Sequence, residues 1–415
     1  VLARWLGLAA LAAAAPVIAG CGGASLAASE TAGSQLTVYS SLPLQGETAS
    51  ISEQIVGGEK LALAHSGGRV GPFRISFVSL DDANPTNGQS SPGETAGNAK
   101  QAAQDTSTIA YIGDYTSEAT EISLANMNAA DILQISPASP YVGLTQSLDA
   151  GQDEPGRFYL SGKRNFARLL PGDPAEAGAQ ARLMHAMGIR KVFVLDDQDA
   201  FQAPLASIVA GYAEQEGIEV AAHDSIAIEA GSVFKGEIEK IVASHAQAVF
   251  VAAGSGEGTV RLWRELHAAD PHLLLLGSSS MANQAFVAKL EGAGSVTYLT
   301  TPLLPESFYP ASGRRVLAQY RHLFGGEAGP YVLYGYEAMS VVLNAVYRAG
   351  ARGNNRAAVI AAFFRTTRDR NSVLGTYSIE PDGETTLTPY GVDDVRNGRL
   401  SFYRAIDTSG PLPSG

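Results

Sequence analysis

The chain has 415 residues, 45% of them apolar and 17% charged, which is enough to bury a sizeable core and suggests two or three domains. A formal net charge of −12 argues against a nucleic-acid partner, which needs a basic footprint. A single cysteine, Cys21, excludes an intrachain disulfide.

The first residues place Arg4 before an apolar run, Trp5 to Ile18, that ends in Ala19-Gly20-Cys21. A charged start, a short apolar core and small residues at a cleavage point mark a secretory signal, and the run is short for a membrane span. Its Ala-Gly-Cys ending resembles a bacterial lipoprotein signal. That resemblance implies export, lipidation of Cys21 and anchoring on the outer face of the cell membrane or in the periplasm. The alternative is a buried helix with a chance cysteine. Residues 22–35, rich in Gly, Ala and Ser, read as a flexible tether.

From Leu36 onward strands and helices alternate. Leu36–Tyr39 is β-prone, the stretch holding Ile51, Ile55, Leu61 and Leu63 is helical, and Gly67-Gly68 ends it. Phe73–Leu80 is a strand closed by Asp81-Asp82, and Glu94–Thr106 is helical. The stretch from Ile109 to Leu144 organises the rest. It runs through a short apolar strand, a hydroxyl-rich loop (Gly113 to Ser117), a helix to Ala129, the apolar Ile132–Ile135, and a second such loop at Ser136–Pro140. In a parallel sheet, loops at the carboxyl ends of strands form the ligand crevice, so Ser117 and Ser139 are expected side by side on one rim. Free N–H groups at a helix start can hold a carboxylate. Helix capping is the other use of such hydroxyls.

The ladder restarts after Leu160–Pro171. Helices at Ala175–Met187, Leu205–Glu216, Phe234–Ser244 and Thr259–Ala268 alternate with strands at Lys191–Leu195, Ile218–Ala222, Ala248–Ala252 and His272–Leu276. Two similar ladders predict two doubly wound α/β lobes with parallel sheets. The tail (helices Ser312–Leu323, Val332–Ala349 and Ala357–Phe364, strands Val373–Ile379 and Leu400–Ala405) must pack back on them.

Catalytic signatures are missing: there is no nucleophile elbow, phosphate loop or zinc-protease motif, so an enzyme is disfavoured. No metal spacing is found among the seven histidines. The glycines at 254, 256 and 258 miss the dinucleotide spacing by one residue, so no cofactor is expected. Asp81-Asp82 and Asp196-Asp197 with Asp199 read as solvated strand-end carboxylates rather than a cation site. Tyr331, Tyr334 and Tyr336 stand at a helix entrance, where they either wall a ligand site or pack the tail against the lobes.

Tyr111–Thr120, Ile135–Ser139 with Gly143–Thr145, Ser161–Phe166 and Gly335–Ala338 carry a resemblance in their order and spacing. They resemble the type I periplasmic-binding-protein family, specifically the branched-chain amino acid (Leu/Ile/Val-type) substrate-binding proteins of ABC transporters, over Leu36 to Ile406. The resemblance implies two lobes joined by three hinge crossings, near 160–171, 298–305 and 380–386. With residues 1–21 as signal and lipidation site and 22–35 as tether, 36–165 and 301–382 then form lobe 1. Lobe 2 is 166–300 and 383–406, and 407–415 is a tail. It implies a monomeric receptor that closes on a small amino acid, amide or carboxylate and delivers it to a membrane permease. A sensor without transport and an enzyme on the same scaffold are the alternatives. The family's carboxylate-holding serine falls on Ser117, and its backbone contacts fall on Ala138 and Ser139. The next contact falls on Pro140 and the first-loop aromatic near Ile51. Second-lobe aromatics fall on Phe201 and near Ser255, and the last tyrosine on Tyr336. The acid that pairs with the ammonium falls on Ser279, so Glu257 or Glu337 is expected to replace it, or the ligand differs.

Overall fold

The computed structural model describes residues 31, 33–86 and 88–409. The expected signal, Cys21 and most of the tether lie outside the described residues.

Each lobe is built on one sheet. The first sheet contains β1 (Gln35–Leu42), β2 (Arg69–Val70), β3 (Phe73–Asp81), β4 (Thr108–Ile112), β5 (Leu133–Ser136) and β6 (Phe166–Arg168), in the order β2-β3-β1-β4-β5-β6. All neighbours pair in parallel except the β2–β3 hairpin. The connecting helices are α1 (Ala49–His65), α2 (Pro92–Gln104) and α3 (Ser117–Ala129). Every residue of β4 and β5 is buried, as strands covered by helices on both faces require.

The second lobe continues with α4 (Asp173–Ala186), β7 (Lys191–Asp196), α5 (Gln202–Gln215), β8 (Glu219–Ser225), α6 (Lys235–Ala243), β9 (Ala248–Ala252), α7 (Glu257–Ala269), β10 (Leu274–Gly277), α8 (Gln284–Val287) and β11 (Thr297–Thr301). The chain then returns to the first lobe through α9 (Ala311–Phe324), α10 (Tyr331–Ala349), α11 (Arg356–Thr366) and a small ribbon, β12 (Arg370–Asn371) with β13 (Thr376–Tyr377). It ends in the second lobe with the hairpin β14 (Pro389–Arg396) and β15 (Arg399–Asp407). The second sheet runs β15-β14-β11-β10-β9-β7-β8, with β14 and β15 antiparallel.

Three expectations need correction. Phe166–Arg168 pairs in parallel with Gln134–Ser136, so the first lobe extends past 165 and the first crossing begins after Arg168. The second crossing, expected near 298–305, begins later, because residues 297–301 form β11, which pairs with β10 and is buried at every position but Tyr298. Val373–Ile379, read as one strand, contributes only β13, while β14 went unread because Asp393, Asp394 and Arg396 interrupt its apolar pattern.

The returning helices close the first core. α10 packs on α1 at backbone distance: a Cβ on Gly58 would lie 2.1 Å from the Val332 carbonyl oxygen, and one on Gly335 would lie 2.0 Å from that of Ile55. Only glycine permits that approach. The first crossing is pinned by Arg168, which is fully buried at the end of β6. Its guanidinium donates to the carbonyls of Ser139 and Tyr141, both at 2.8 Å, and to Thr145 Oγ1 at 2.6 Å. It also pairs with Glu384 of the third crossing at 2.9 Å.

Candidate functional site

The carboxyl ends of β4, β5, β7 and β10 face one another across a cavity of about 290 Å³ between the lobes. On the first-lobe side stands the start of α3. Thr116 caps it, its Oγ1 accepting the Ala119 N–H at 3.3 Å. The Ser117 and Glu118 N–H groups, next in the first turn, have no acceptor among the described residues. The Ser117 oxygen accepts the Tyr141 N–H at 3.2 Å, which leaves its proton to donate into the cavity. A helix start with free N–H groups and one directed hydroxyl has the chemistry to hold a carboxylate.

Aromatic and apolar side chains form the middle. Tyr115 and Tyr331 lie 6.1 Å apart between ring centres, and Tyr141 meets Phe201 edge-to-face at 5.0 Å. Leu170, Leu205 and Pro302 complete this part of the wall.

The second-lobe side is acidic. α4 opens with Asp173-Pro174, and Asp173 and Glu176 occupy its first turn, where proline and acids suit a helix start. Both carboxylates line the cavity, with Asp173 3% and Glu176 1% exposed. Glu176 Oε1 accepts from the Ser279 N–H and Thr300 Oγ1, each at 2.6 Å. Its Oε2 accepts from Ser279 Oγ at 2.7 Å and the Tyr390 hydroxyl at 3.1 Å. Burial nonetheless pushes the Glu176 carboxyl up. Asp173 Oδ2 accepts the Val142 N–H at 2.9 Å, and burial pushes this carboxyl up to about 8 against the pull of Arg168. Glu118 and Asp199 add two exposed acids, and no Lys, Arg or His lines the cavity. Among the described residues, no group of three or more His, Cys, Asp or Glu is placed to hold a metal ion.

A family model described as periplasmic binding protein matches residues 40–398. The chain belongs to the periplasmic binding protein family. Its fold is shared with a leucine binding protein from Thermotoga maritima at TM-score 0.72 and 19% identity, covering 90% of this chain and 99% of that one. A branched-chain amino acid transporter substrate binding protein from Streptococcus pneumoniae, solved with isoleucine, superposes at TM-score 0.68 and 18% identity, covering 90% and 99%. A solute binding protein from R. palustris in complex with benzoate superposes at TM-score 0.67 and 18% identity, covering 89% and 96%. No curated protein matches the chain by sequence.

Within this periplasmic binding protein fold, the expected site residues divide. Ser117, Ala138, Phe201 and Ser279 come together on the cavity wall, and Pro140 joins them. Ser139 does not: it is fully buried behind the wall, its N–H given to Ser136 Oγ at 3.0 Å and its carbonyl to Arg168. The two hydroxyl loops do touch, Ser139 Oγ lying 3.1 Å from the Asp114 carbonyl oxygen, but of the two serines only Ser117 reaches the rim. Ala138 has its N–H on Ser136 Oγ at 3.2 Å, so it offers the cavity a carbonyl rather than a donor. Ser255 stands off the wall, in a loop held over Asp197 by the Gly254 N–H at 3.0 Å. Tyr336 also misses it and meets His65 instead, its hydroxyl 2.9 Å from Nδ1. Five helical residues separate Tyr336 from Tyr331, a turn of about 140° round the axis, so only Tyr331 faces the cavity. Ile51 packs on the cluster of Leu42, Ile55 and Val56, which Tyr115 and Tyr331 also cover, without lining the cavity.

Neither expected substitute acid is in place. Glu257 is exposed and paired with Lys289, and Glu337 is buried in the first lobe between Arg370 and Tyr377. The acids that are in place, Asp173 and Glu176, were missed. Their signal was an Asp-Pro-Ala-Glu helix start directly after the crossing, which reads equally well as ordinary dipole compensation.

Proposed function

We propose that the chain is an extracytoplasmic solute receptor that takes a small α-amino acid between its lobes and presents it to an ABC importer. The observation that carries this reading is the polarity of the cleft: a neutral donor set at the α3 start opposes buried carboxylates at the α4 start, with aromatic and aliphatic side chains between. A zwitterion satisfies both ends, and a short apolar side chain fills the middle. A plain carboxylate of the benzoate kind would meet Glu118, Asp173, Glu176 and Asp199 with no cation to offset them. Burying that charge unpaired is costly. An amide would leave the acids without a positive partner. Family membership supports binding without catalysis, and closing of the two lobes on the ligand is the motion the hinge crossings would allow. Cys21, in its lipoprotein-like context, would tether a monomeric receptor to the outer face of the membrane through residues 22–35. Among the described residues no helix is long and apolar enough to cross a membrane.

A thermal-shift screen of the chain lacking residues 1–21 tests this against amino acids, amides, carboxylates and aromatic acids. A ligand that binds only the folded state raises the midpoint by mass action. The expected result is a shift with at least one apolar amino acid and none with a simple aliphatic amide that lacks an amino group or with benzoate. A shift confined to plain acids would refute the reading.

A further inference from the structure

The question left by the cleft is which group meets the ligand's positive end, since Ser279 stands where the resemblance puts an acid. Glu176 brings a carboxylate to that place from a different element, and Ser279 binds it through both N–H and Oγ. Yet Glu176 already accepts four hydrogen bonds, two on each oxygen. Those donors are neutral, so its charge is solvated but not compensated. Asp173, one turn earlier on the same helix, differs. Its Oδ2 is taken by the Val142 N–H, Oδ1 receives no hydrogen bond among the described residues, and the residue, 3% exposed, lines the cavity. A carboxylate oxygen left without a donor, on a residue that lines a cavity, is free to accept one from a ligand there.

We propose that Asp173 Oδ1 is the direct receptor for the ligand's ammonium and that Glu176 is the adjacent fixed charge, so that the α4 start replaces the acid absent at Ser279. The inference rests on the amino-acid reading above and makes it specific. The Ala138 carbonyl, which has no donor among the described residues, faces the same cavity and offers an ammonium a second acceptor. The charged and titratable groups around Asp173 are Arg168 on β6, Glu176 on its own helix, Glu384 of the third crossing and Tyr390 on β14. Arg168 is already engaged by Glu384 and the loop carbonyls, so it does not discharge the pair. An arriving ammonium would therefore ionise a carboxyl held up to about 8, and binding near neutral pH would release a proton.

The test is titration calorimetry with each apolar amino acid that shifts the melting midpoint and with its deaminated counterpart, for example leucine and 4-methylpentanoate. Asp173→Asn keeps an oxygen for the Val142 N–H and removes the charge. It is expected to lose about tenfold or more in affinity for the amino acid, while the deaminated acid, a poor ligand of the wild type, binds no more weakly and gains if anything from removal of the charge. Wild-type titrations at pH 7 in phosphate and in Tris should give different apparent enthalpies, and the difference should vanish in Asp173→Asn. That comparison does not require the variant to be as stable as the parent. Unchanged amino-acid affinity in Asp173→Asn, or equal enthalpies in the two buffers for the wild type, overturns the subsite while leaving the receptor reading intact. Failure of every amino acid to bind overturns both.

Discussion

Arg168 gives the sharpest test of how the cleft is held. Arg168→Met keeps most of the stem and deletes the guanidinium. Three buried acceptors, the carbonyls of Ser139 and Tyr141 and Thr145 Oγ1, then lose donors at 2.8, 2.8 and 2.6 Å. Each lost bond in a buried setting costs about 1 kcal/mol or more. Glu384 loses its ion-pair partner, but its side chain is 15% exposed, so water recovers part of that cost. The sum is about 3–5 kcal/mol, in the range found when one member of a buried pair is removed. For a cooperative unit the size of one lobe, each kcal/mol moves the melting temperature by roughly 2–4 °C, so a fall of about 6–20 °C is expected. Calorimetric or circular-dichroism melts of the chain without residues 1–21 would measure it. Ligand affinity should fall as well, because the loop from Ala138 to Tyr141 is cavity wall. A melting temperature within about 2 °C of the parent would refute the reasoning that this side chain ties the first and third crossings to the ligand loop.

Three other outcomes are expected. Ser117→Ala removes the directed hydroxyl and should weaken amino-acid binding by about 1–3 kcal/mol in calorimetry, with a melting temperature lowered by a few degrees at most for the lost Tyr141 N–H bond; unchanged affinity would take Ser117 out of the site. Burial raises Asp82 to about 7 and Asp114 to about 8. A carboxyl raised in the fold stabilises it fully below the unfolded value near 4 and loses that contribution as pH climbs to the folded value. The urea midpoint should therefore be lower at pH 8.5 than at pH 5.5, and Asp114→Asn should flatten the difference; equal midpoints in the parent would count against it. Gly58→Ala should destabilise by about 1–3 kcal/mol through its clash with the Val332 carbonyl, although helix propensity alone predicts a gain of about 1 kcal/mol. A stabilised variant in urea unfolding would mean that α1 and α10 can separate freely.

The parts of the fold that could be read from the chain are those whose information is local. Strands such as β4 and β9 are short apolar runs bounded by small or polar residues, and helices such as α3 begin at a hydroxyl cap. Ser117 and Phe201 were readable for the same reason, since each sits at a strand end where the topology puts the crevice. What could not be read depends on pairs far apart in sequence. Nothing near Asp173 or Glu176 says that Ser279, Thr300 and Tyr390 will converge on the α4 start. Nothing near Ser139 says that Arg168 will take its carbonyl and draw it behind the wall. Tyr336 was misjudged through helical phase, and β14 because its charges lie on a strand whose buried positions are few.

The contact of Gly58 with α10 also bears on the order in which the molecule can be finished. The first lobe's core joins Val38, Ile75 and Ile109 to Val332, Met339, Val342 and Phe363, which are the last large helical contribution along the chain. A ribosome or an export channel releases the amino-terminal sheet long before those helices arrive. Until then one sheet face and the glycine surface of α1 have nothing to lock against, and long-range closure of this kind is slow. Under the exported location proposed above, a chain threaded unfolded across a membrane would gain from that delay, because its first-born half would stay unfinished until the returning segment followed it out.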